Sequence, residues 1–215
     1  MPRRHRILRT TAGAPGRNKL SNTEDQRIYY PPGGLLIWII LTIELVTFIP
    51  ALIAFFVYRA DQTDQFASSA SKLSLTIGTV NTVILITGGW LMAEALRYLR
   101  SERAEKAQLF LWLGTVSGLA FLGLKGYEYW NKLSQGFGLE HDDFFSMYWM
   151  ITGFHYLHVL VGTGLLIVAA LGIRRGSYNS DSHEDVETIG VFWHMCDLIW
   201  ILVFPAIYIL ARGGA

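Results

Sequence analysis

Hydrophobic and polar residues alternate along this chain on the scale of whole segments, not of single turns. Five runs, 35–58, 73–96, 107–127, 146–173 and 188–211, are almost wholly apolar. Each is as long as the roughly 20 residues a helix needs to cross a bilayer. Polar stretches at 61–71, 97–106, 131–143 and 174–187 separate the runs and fall where turns belong. This pattern predicts an all-α protein, an integral membrane bundle of five transmembrane helices. Pro50 and Pro205 lie inside the first and fifth runs, where neighbouring helices can satisfy the carbonyls that a proline frees. No fixed-period repeat is visible, and no pair of broken segments marks the inverted halves of a transporter.

Composition strengthens the membrane reading. The 215 residues are 52% hydrophobic and 16% charged, whereas a soluble domain carries nearer a quarter charged residues. The charges that remain are segregated. Residues 1–33 form a basic arm carrying Arg3, Arg4, Arg6, Arg9, Arg17, Lys19 and Arg27, with no apolar period to fold it alone. Such an arm suits the inner membrane face better than a nucleic acid. It contains no apolar core of a cleavable signal, so the first run is expected to stay in the mature protein. With the N-terminus inside, lysine and arginine divide 13 inside against 5 outside. The positive-inside rule then places the N-terminus in the cytoplasm and the C-terminus outside, with a membrane domain over 34–215.

Within the runs, polar residues concentrate near the midplane. At about 1.5 Å per residue, Glu44 and Asp197 lie about 4 Å from the centres of the first and fifth spans. His155 and His158 bracket the centre of the fourth. His194 is one turn from Asp197 on the same face. The expectation is one buried polar cluster of Glu44, His155, His158, His194 and Asp197. Lys125 and Glu128 fall near the end of the third run, where side chains snorkel to the interface.

Several chemistries compete for that cluster. A haem would need axial histidines on facing helices, making the chain a stand-alone b-type cytochrome, but His194 lies too deep to pair well with His155 or His158. A carboxylate-bridged di-metal site needs Glu-x-x-His on two helices, and the chain has none. A proton relay through Glu44 and Asp197 is possible, as in a small proton-coupled carrier. The plainest alternative is a hydrogen-bond lock, with a histidine donating across the bundle to Asp197 or Glu44. Cys196 is the single cysteine, which leaves no disulfide and no cysteine-cage metal site. His5, His141 and His183 lie in polar segments, so the three membrane histidines are too few for a haem-copper catalytic core.

Five motifs in order carry a family likeness: Trp38-Ile39-Ile40-Leu41-Thr42-Ile43-Glu44, Asn81-Thr82, Gly126-Tyr127-Glu128-Tyr129, Thr152-Gly153-Phe154-His155-Tyr156-Leu157-His158-Val159, and Trp193-His194 leading to Asp197 and Trp200. The chain resembles subunit III of the haem-copper oxidases, in a short five-helix form. Tyr156, Asp142-Asp143-Phe144-Phe145 and Phe204-Pro205-Ala206-Ile207-Tyr208 resemble more closely the accessory subunit associated with nitric oxide reductases. The resemblance implies a non-catalytic subunit in the bacterial cytoplasmic membrane, with no cofactor of its own. It implies a catalytic, haem-bearing membrane subunit as partner. It also implies bound phospholipid, in a cleft between helices one–two and three–five, and a role in proton uptake. Glu44 matches the family's buried carboxylate, and His158 and Asp197 fall where interhelical polar contacts would lie. Trp38, Asn81, Glu128, Trp193 and Trp200 are expected at the lipid or subunit interface.

Overall fold

The computed structural model describes residues 34–179 and 182–213; the basic arm lies outside them. Helices form wherever the chain is continuously apolar: α1 (Gly34–Asp61), α3 (Leu75–Arg100), α4 (Ala104–Ser134), α5 (Asp143–Arg174) and α6 (Glu184–Phe204). A short α2 (Thr63–Ser71) joins α1 to α3. With its C-terminal continuation to Arg212, α6 is the last of five helices long and apolar enough to cross a membrane. The expected five-span, all-helical architecture is what the described residues show.

Boundaries follow local chemistry. Ser74 caps α3 by accepting from the Ile77 N–H at 3.3 Å, and Asp142 caps α5 through the Phe145 N–H at 2.7 Å. The Asp142 cap starts α5 three residues before the apolar run does. Gly136 and Gly176, with φ of +83° and +74°, turn the chain after α4 and α5 in a conformation other residues rarely adopt. Pro205 cannot continue the hydrogen-bond ladder of α6. The helix opens there into one π turn, Pro205–Ile209, and closes with a 3-10 turn, Leu210–Arg212.

Helices α3, α4, α5 and α6 form a four-helix bundle in which each packs on the next and α6 returns to α3; α1 leans on α5 and α6. Only 11% of the apolar window of α1 is buried, against 61% for α6. So α1 is peripheral, and α6 is the centre of the core. Close approach depends on glycine: Gly118 faces Thr163 and Trp193, and Gly162 and Gly88 lie against the same indole. The short α2 buries Phe66 against Phe55 and Phe144, at ring separations of 5.3 and 5.6 Å. Its ends are tied down by Gln62 donating to Asp143 at 2.7 Å and Ser69 to Asp142 at 2.5 Å.

Candidate functional site

The expected five-residue cluster separates into three places. Glu44 on α1 and His158 on α5 do meet, with Oε2 3.0 Å from Nε2. The other ring nitrogen, Nδ1, lies 2.8 Å from the Phe154 carbonyl. A carbonyl only accepts, so Nδ1 carries a proton. Nε2 faces the carboxylate at ion-pair distance, without the alignment of a hydrogen bond. Phe48 and Phe154 stand edge-on to the ring at 5.8 and 4.6 Å.

His155, one turn from His158, reaches neither carboxylate. It is fully buried, stacked on Trp200 at 5.1 Å and flanked by Phe121 at 5.9 Å. Neither of its nitrogens has a hydrogen-bond partner among the described residues. It packs as a flat aromatic. His194 and Asp197 pair with each other along α6 at 3.5 Å and face outward between α6 and α3, away from α1 and α5. Depth alone suggested one cluster; the helical face of each residue decides otherwise, and α6 turns His194 and Asp197 away from Glu44.

A fourth polar site was read differently in the sequence. Lys125 and Glu128, expected to snorkel, are both fully buried between α4, α5 and the π turn. Lys125 Nζ donates to Glu128 Oε2 at 3.1 Å, to Tyr148 Oη at 3.1 Å and to Tyr208 Oη at 2.5 Å. Tyr208 in turn donates to Glu128 Oε1 at 2.8 Å. Four rings, of Tyr129, Tyr148, Trp200 and Tyr208, surround the ammonium at 4.7–5.4 Å. The reason for the difference is helix length. Because α4 runs on to Ser134, Glu128 lies more than a turn inside the helix end instead of at it.

The residues expected at the lipid or subunit interface divide the same way. Trp38 is exposed on α1, whereas Asn81, Glu128, Trp193 and Trp200 are interior. Trp193 fills the space left by the bundle glycines, and the Trp200 indole donates to Thr82 at 2.9 Å. Both side-chain polar atoms of Asn81 lack a partner among the described residues. Among the described residues α3 packs on α4 and α6 more closely than on α1. A groove of about 500 Å³ runs between α1 and α5, lined by Phe48, Ala51, Ala54, Met150, Phe154 and Leu157. No group of three or more His, Cys, Asp or Glu placed to hold a metal ion occurs among the described residues.

A family model, Cytochrome c oxidase subunit III, matches residues 34–212, which takes in every described helix. The chain belongs to that family. Cytochrome c oxidase subunit 3 of Thermostichus vulcanus is 31% identical over 83% of this chain and 87% of its own length. Cytochrome bo(3) ubiquinol oxidase subunit 3 of Pseudomonas aeruginosa is 26% identical over 80% of this chain and 82% of its own. Heme-copper oxidase subunit I+III of Aeropyrum pernix is 30% identical over 80% of this chain and 22% of its own length. Membership makes this chain an integral membrane, non-catalytic subunit of a haem-copper oxidase complex, and implies partnership with the catalytic subunit.

Proposed function

We propose that the chain serves its complex in the bacterial cytoplasmic membrane in two ways, by holding phospholipid against α1 and α5 and by holding a proton at Glu44–His158 to support proton uptake. The carrying observation is the Glu44–His158 contact, an acid and a base 3.0 Å apart on two helices. It borders the α1–α5 groove, whose apolar walls suit an acyl chain. The lysine and arginine asymmetry of 13 to 5 supports an N-terminus on the inside. Ionisable groups at such depth are candidates for a functional role such as a proton path.

Glu44→Gln keeps the shape of the pair and removes the ionisable carboxyl. The complex carrying it should assemble with its full haem content, while turnover falls increasingly as pH rises and protons become scarce. Turnover identical to wild type across the pH range would remove the proton role, and a complex that fails to assemble would make the carboxylate structural. A second reading concerns the terminal acceptor. Tyr156, packed on Tyr129 at 5.6 Å, and the Phe204–Tyr208 segment favour a nitric oxide reductase complex. Consumption of nitric oxide, not oxygen, by the purified complex separates the two.

A further inference from the structure

The outward groove between α3 and α6 holds two ionisable side chains that this chain leaves incompletely served. Helix α6 and its continuation run from Glu184 to Arg212, so His194 and Asp197 lie within about 6 Å of the middle of the span. The Asp197 carboxylate lies against Gly89 of α3, in the one space a side chain there would fill. One of its oxygens faces His194; the other, Oδ1, is buried and has no hydrogen-bond partner among the described residues. Half of the His194 side chain (51%) is exposed. Around the pair the groove is walled by Ile86, Trp90, Leu198 and Ile201, all exposed.

An acyl chain can cover Ile86 and Ile201, but it offers neither a donor to the carboxylate nor an acceptor to the imidazole. Ionisable groups at this depth face protein or trapped water, not hydrocarbon. The outer face of α4 is a contrast, since Trp112, Leu113, Val116 and Leu119 present lipid with nothing but apolar surface. We infer that the α3–α6 face is where the catalytic subunit docks, with a transmembrane helix that presents a side-chain hydrogen-bond partner to the half-exposed His194. This rests on the family's partnership with a catalytic subunit. The fused relative, named as subunit I+III, carries both units on one chain.

Site-specific photo-crosslinking in the intact, purified complex tests the assignment. A benzoylphenylalanine at Leu198, or at Ile201 if the first variant folds poorly, should form a covalent adduct with the haem-bearing subunit. The same probe at Val116 of α4 should not. An adduct from Val116 and none from Leu198 or Ile201 would overturn the docking face, as would equal adducts from both faces or an adduct with a second copy of this chain. Absence of any haem-bearing subunit from the wild-type preparation would overturn the partnership itself. A misplaced adduct in an intact complex overturns only the face.

Discussion

The buried lysine cage on α4 and the carboxylate on the outer side of α6 meet the same problem, charge in a membrane, with opposite solutions. Lys125 has three hydrogen-bond partners and four aromatic faces, all supplied by this chain. Asp197 has one long contact to a half-exposed histidine, and an oxygen with no partner among the described residues. The cage is complete within the subunit, so its energetics belong to folding. The α6 pair is incomplete, so its energetics belong to assembly. In lipid, where helices gain little from hydrophobic association, the degree to which a polar group is served within its own chain separates the two roles. Glu44–His158 lies between them, paired internally but bordering a groove open to lipid.

The largest effect should come from breaking the cage on one side. Lys125→Met leaves Glu128 buried with only the Tyr208 hydroxyl, and an uncompensated buried charge costs about 3–5 kcal/mol. Unfolding of the isolated subunit in detergent by a denaturing surfactant should show that loss. Adding Glu128→Leu should restore most of it, because an apolar pair of similar volume replaces the ions. A double variant no more stable than the single one would mean that the site is held by packing and not by charge. The isolated complexes, by contrast, should show no specific defect in haem content once folded.

A smaller step within the same cage grades the comparison. Tyr208→Phe keeps the ring against Lys125 but removes the hydroxyl that joins Lys125 to Glu128. Hydrogen bonds to charged groups contribute about 1.5–3 kcal/mol. The same unfolding measurement should therefore place this variant between wild type and Lys125→Met. The effect also tests the π turn at Pro205, since that turn is what swings Tyr208 inward over Gly78.

Much of this was legible in the sequence, and what was missed shares one cause. Run length alone gave the five spans, because no other element satisfies its backbone in lipid. Residue depth along the helix puts Glu44 level with the α5 histidines, of which His158 lies 3.0 Å from it. Depth carries no information about which way a residue faces, and α6 is apolar on all sides, so no periodic stripe told that Asp197 points outward. The same lack hid Trp193 and Trp200, seven residues apart on one inward face. A signal for them did exist in Gly88, Gly118 and Gly162, which come from three different helices and empty the space that Trp193 occupies. Helix α2 was read as a turn because a nine-residue segment with one aromatic anchor, Phe66, looks polar in any window. Lys125 and Glu128 were misplaced by a boundary, since α4 continues through a polar segment to Ser134.

The smallest effect is the one that most sharpens the contrast. Asp197→Asn in the isolated subunit removes a charge that has only a 3.5 Å contact to a half-exposed histidine. A pair so loosely held contributes about 0–1 kcal/mol, and the orphaned oxygen becomes less costly to bury once the group is neutral. The isolated subunit should therefore unfold within about 1 kcal/mol of wild type, on either side of it. Retention of the haem-bearing subunit through detergent washes should fall, because the amide holds the half-exposed His194 less firmly for a partner than the carboxylate does. If Asp197→Asn destabilised the isolated subunit as much as Lys125→Met, both sites would be internal locks, and the division between folding and assembly charges would fail. If it left both stability and retention unchanged, the α6 carboxylate would have no partner to answer to.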